Sequence, residues 1–140
     1  MTNNPTLPLD EGIEIIRVSK EDALAKRNAY LQREKDFLNY WKKGVEIAGY
    51  HYFGDGTKEN FEQATDKNQL SPVSAKMEAA FGALGHGEAM FLAAMYSFYN
   101  DHKGGELCRS LNANSVGALT LLDGNRRAVI AGLLVTYCGW

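Results

Sequence analysis

Two stretches of this chain have no polar side to turn toward water, and that constrains the fold more than any other feature. Along residues 89–99, "AMFLAAMYSFY", only Ser97 is plainly polar. At helical spacing Phe91, Met95 and Phe98 share one side, Leu92, Tyr96 and Tyr99 another, and Ala89, Ala93 and Ser97 a third. A helix apolar all round is a surrounded helix, and its small side lets a neighbouring backbone come close. Residues 125–137 repeat the theme. Val129, Ile130, Leu133, Leu134 and Tyr137 make a broad stripe, while Ala128, Ala131, Gly132 and Val135 cover most of the remainder. A chain of 140 residues readily encloses one such helix. Enclosing two is hard without a partner.

The rest of the chain is read around these two helices. Most charged residues precede residue 70, so the second half is expected to form most of the core and the first to wrap it. Residues 1–12, with Pro5 and Pro8, read as a flexible arm. Residues 13–18, "IEIIRV", are β-prone. Ser19 then suits an N-cap, and Leu24, Leu31, Leu38 and Val45 recur every seven residues beside Tyr30, Phe37 and Trp41. That predicts a long amphipathic helix, carried by Trp41, Val45, Ala48 and Tyr52 to about Phe53. The alternative ends it at Gly44 and pairs 45–53 with 13–18 as a hairpin. Further on, Thr57 suits the cap of a helix to about Asn68, and Ser71-Pro72 suits the opening of another to Leu84. "DHKGG" reads as the end of the helix over 87–100, with another turn or two in "ELCRSL". Asn114 suits the cap of a short segment to Leu122, and Asp123 that of the last helix. The fold class is therefore mostly or all α: a compact single-domain bundle of about six helices over 13–140, with 87–100 at its centre. An α+β fold carrying the small hairpin is the alternative.

Catalytic spacing is missing. His86 and Glu88 precede the central helix and Asp101 and His102 follow it, but sixteen residues of helix hold the two ends about 24 Å apart. Metal bonds of ~2 Å do not bridge that distance within one chain. His86-Gly87-Glu88 matches half of the zinc deaminase pattern, yet the P-C-x-x-C half is absent. HExxH, GxxxxGK[ST], GxSxG and a strand-borne GxGxxG are absent as well. Cys108 has Arg109 beside it to lower its pKa but no identifiable base, and Cys108 and Cys138 form no CxxC pair. No catalytic residue, metal or cofactor is expected.

The leading expectation is a non-enzymatic interaction module acting as a homodimer, with a heterologous protein as a further partner. Its interface is drawn from Arg126, Arg127, Ile130, Leu134, Tyr137 and Trp140. A second reading is a small-molecule binder with a pocket around Tyr96 and Tyr99, completed by His86, Met95 and His102. A third is a nucleic-acid-associated regulator using Lys42-Lys43 and Arg126-Arg127, against which the formal charge of -2 argues. No apolar run approaches the ~20 residues of a membrane span. The first residues lack the basic-then-apolar pattern of a secretion signal, so a cytoplasmic protein with reduced thiols is expected.

Overall fold

The computed structural model describes residues 9–140, with side chains from residue 19 onward. Helix α1 (Leu9–Ala48) runs for 40 residues, about 60 Å. It contains 13–18, so the proposed strand is helix: β-branched residues lower helix propensity by only a few tenths of a kcal/mol each. Ser19 is accordingly interior to the helix and caps nothing, and 9–12 already belong to it, while the rest of the expected arm, 1–8, lies outside the described residues. Gly44 stays helical because something must pass close to it. A Cβ there would sit 2.8 Å from the Met95 sulfur. The helix stops at Gly49, whose φ of 113° favours glycine, and a 3₁₀ turn (Tyr50–Tyr52) follows.

The middle of the chain is a run of short pieces. Phe53 makes an isolated antiparallel bridge with Pro72, and Gly54 and Gly56 turn the chain at positive φ. Thr57 caps α2 (Lys58–Gln63) through its side chain, but α2 ends well before Asn68. The next 3₁₀ helix (Lys67–Leu70) carries its own capping box from Asp66 and Gln69. Ser71-Pro72 opens no helix, because Pro72 is held in the bridge and the Ser71 hydroxyl donates to the Asn68 carbonyl. Helix α3 (Ser74–Phe81) starts after Val73 instead.

Helix α4 (His86–Tyr99) is the buried centre, with 89–96 enclosed on all sides. "DHKGG" does not end a helix region; it is the first half of α5 (Asp101–Ser110), capped by the Asn100 side chain. Glycine is needed there: a Cβ on Gly104 would lie 2.4 Å from the Ser97 backbone, so α5 folds back against the small side of α4. A 3₁₀ helix (Val116–Leu121) follows Ser115, and its side-chain cap from Asn114 is not formed. Helix α6 (Gly124–Thr136) is capped by Asp123 as expected and lies along α1, where Gly132 admits the Tyr40 ring. The fold is all α, and no strand is present among the described residues.

The core belongs to both halves of the chain. Phe37, Trp41 and Val45 of α1 are at most 1% exposed, and Trp41 donates its indole N–H to the Leu70 carbonyl at 2.9 Å. The long helix is thus an inner wall over its last dozen residues rather than an outer wrapping. Over 19–33, by contrast, every residue is exposed.

Candidate functional site

The residues expected to form a ligand pocket come together only in part: the Tyr96 and Tyr99 rings lie 6.0 Å apart, and the others stand away from that pair or beneath the surface. Met95 is sealed beneath Gly44, and Tyr96 is 2% exposed with its hydroxyl bonded to that of Ser74. Tyr99 lies at the surface, its ring edge-on to Trp140 at 5.2 Å. His86 is exposed at the start of α4, and His102 is exposed on α5, 3.0 Å from Glu106. Helix α4 keeps the two histidines at its opposite ends. Among the described residues no three His, Cys, Asp or Glu side chains gather as metal ligands do.

The six expected interface residues divide. Ile130 is buried within the chain, and Trp140 packs inward against Trp41, Phe37 and Tyr99, so neither is free to anchor a partner. Arg126 is half-buried against the Phe91 ring and pairs with Asp123. Arg127 donates from Nε to the Leu122 carbonyl at 2.8 Å and from Nη2 to that of Thr120. Lys42 likewise donates to the carbonyls of Glu62 and Ala64, so most of the basic side chains once considered for phosphate contacts are occupied internally. Leu134 and Tyr137 remain exposed.

What surrounds Leu134 is the informative part. Leu134 is 59% exposed and Val135 80%, and on the neighbouring 3₁₀ helix Val116 is 80% and Leu121 62% exposed. Beside them runs an open apolar groove of about 320 Å³ between α4, α5, the 116–121 segment and α6, with Leu134 and Val116 on its rim and Met90, Ala94 and Ile130 in its wall. Leu134 and Val116 thus both protrude and border a recess of matching chemistry, and Val135 and Leu121 are exposed on the same two elements. Val135 was read from the sequence as part of the apolar surface of the last helix, but Val116 and Leu121 were not singled out. The only available signal was the apolar content of "VGALTLL", which reads equally well as core.

Cys108 lines the groove too, but burial pushes its thiol above the ordinary range more than Arg109 pulls it down. It is a poor nucleophile there. Cys138 is also raised, by burial and by the Glu34 carboxylate it bonds at 3.0 Å.

Glu34 belongs to a cluster that sequence reasoning missed. Lys67, 6% exposed, donates to Glu34 at 3.0 Å and to the Gly139 carbonyl, with the rings of Phe37 and Trp140 each 5.5 Å from its ammonium. These contacts clasp residues 138–140 to α1. No described helix is long and apolar enough to cross a membrane. No protein-family model, no curated protein and no solved structure matches this chain.

Proposed function

We propose that the protein is an association module whose partner is a second copy of itself, joined through the outer face of α6 and the 116–121 segment. The observation that carries this reading is the juxtaposition of exposed Leu134 and Val116 with the apolar groove they border, with exposed Val135 and Leu121 on the same two elements. A two-fold interface must be complementary to itself, and a face bearing both knobs and a recess meets that condition. Arg127, which flanks this face, has donors turned onto backbone carbonyls. Two copies therefore meet without strong like-charge repulsion, and a charged partner finds little to pair with. Ala128 and Ala131 on the exposed side of α6 add small residues over which a second helix approaches closely.

Sedimentation equilibrium tests the reading. The expected result is a reversible dimer with a dissociation constant of roughly 10 µM. Leu134→Glu keeps the fold, since the side chain already faces water, and weakens the dimer at least ~30-fold, the loss of one hot-spot residue. A wild-type chain that stays monomeric at several hundred micromolar, or a Leu134→Glu variant that dimerises unchanged, contradicts it.

A further inference from the structure

The free part of α1 carries a patterned seam. Lys20, Leu24, Arg27, Leu31 and Lys35 follow one another at spacings of four, three, four and four residues, so they line up along one side of the helix. All five side chains are exposed, Leu24 to 60% and Leu31 to 47%. From Lys20 to Lys35 the seam is about 22 Å long. Its leucines continue at seven-residue intervals into Leu38 and Val45, and Val45 is fully buried, so a row that serves the core at one end is uncovered at the other.

The charges on this seam are of one sign. Lys20, Arg27 and Lys35 have no ion pair among the described residues, and no acid stands three or four residues from any of them. Glu21 and Asp22 follow Lys20 by one and two residues and so point off the seam, and Asp22 lies 3.0 Å from Lys26. Glu34 belongs to the Lys67 cluster. The order Lys-Leu-Arg-Leu-Lys is the same in either direction. Two copies laid seam to seam, parallel or antiparallel, therefore set Arg27 against Arg27 and lysine against lysine at each end. Like charges facing across helices oppose pairing, so a second copy is a poor occupant. A bilayer surface takes a wide apolar face, which a single row of leucines does not provide. Nucleic-acid phosphates would pair with the cations but leave the leucines uncovered.

We propose that this seam docks an acidic amphipathic helix of another protein. The partner helix sets apolar residues against Leu24 and Leu31 and carboxylates against Lys20, Arg27 and Lys35. Arg27 sits at the middle of the seam, where its planar fork grips a carboxylate through two hydrogen bonds and fixes the register. The surface is separate from the face of α6 and the 116–121 segment, so this docking goes beyond self-association and does not depend on it.

A synthetic helix tests the proposal on the whole chain. The probe is a fluorescein-labelled peptide of about three heptads, with Glu and Leu at the spacing of the seam and Ala and Gln elsewhere. Fluorescence anisotropy is expected to give a dissociation constant of about 100 µM or tighter at ~20 mM salt, and binding at least about tenfold weaker at ~0.5 M. ¹H–¹⁵N NMR is expected to place the shifts on the amides of 20–35. Arg27→Glu, on a fully exposed stretch of helix, is expected to weaken the Glu peptide at least ~10-fold, and a peptide whose central Glu is replaced by Lys to regain the loss on that variant. That charge swap is a readout that a folding defect does not mimic. No binding at ~1 mM peptide, or equal binding of a peptide with Lys at every Glu position, overturns the site. Tighter binding to vesicles of about one third phosphatidylserine in phosphatidylcholine, or to duplex RNA, overturns the choice of a protein partner. Leu134→Glu leaves α1 untouched and is expected to bind the peptide as the wild type does. Shifts from self-association fall on 116–121 and 131–135, which keeps the two proposals separable.

Discussion

Lys67 is the one buried lysine among the described residues, and its surroundings explain how the chain tolerates it. The ammonium has a carboxylate, a carbonyl and two aromatic faces, so its charge is met from several sides. Glu34 is nearer the surface, and the cost of a mutation follows that asymmetry. Glu34→Ala strands a buried cation and is expected to cost about 3 kcal/mol in urea unfolding. Lys67→Met leaves a carboxylate that water reaches, and about 1 kcal/mol or less is expected. Acidity gives an independent check. Burial works against the charged form of Glu34, but hydrogen bonds from Cys138 and Lys67, the lysine charge and the Tyr30 hydroxyl outweigh it, so its pKa is lowered. A lowered carboxylate stabilises the fold fully above its unfolded value of about 4.3, and that stability drains away as pH falls through the folded value. Unfolding followed from pH 6 to pH 2 should show this loss in the wild type and a smaller one in Lys67→Met.

At the scale of elements, two glycines test whether close approach or chain flexibility explains them. Gly104→Ala drives a methyl into the Ser97 backbone and is expected to destabilise by about 2 kcal/mol or more by forcing α5 off α4. Gly87→Ala meets nothing within 4 Å in the first turn of α4 and is expected to be neutral or to stabilise by about 0.5 kcal/mol. Thermal unfolding of the two variants side by side distinguishes them. The same glycines mark where the sequence was legible and where it was not. The centre of the fold was readable because α4 is apolar on every face, and Asp123 announced α6 through a local hydrogen bond. Gly104 and Gly105 look like a stop signal in isolation; only the Ser97 backbone facing Gly104, a tertiary feature, explains a glycine inside this helix. Ser71-Pro72 failed for the opposite reason, since its start signal is overridden by the bridge from Phe53. The β-branched run at 13–18 misled because propensity differences this small yield to the continuing helix.

Across the whole molecule, α1 has two lives. From Phe37 onward it is an inner wall, whereas 19–33 are exposed at every position, Leu24, Tyr30 and Leu31 included. Helical segments without packing are held by little more than their own backbone bonds. Amide exchange should therefore be fast over 20–32 and slower by orders of magnitude over 38–47, and equal protection across both would show that the first part is covered too. The sequence placed the surplus apolar surface on the last helix, where Leu134 and Tyr137 are exposed, but it did not tell which of the residues there face inward. Ile130 and Trp140 belong to the interior, whereas Val116 and Leu121 reach the surface because the 116–121 segment crosses the outside of the bundle. The central claim is that this exposed face, rather than the free part of α1, meets a second copy. Isotope-filtered NMR on a mixture of labelled and unlabelled chains reads that contact directly. Intermolecular methyl contacts among Val116, Leu121, Leu134 and Val135 are the predicted result; contacts confined to Leu24 and Leu31, or none at millimolar concentration, would contradict it.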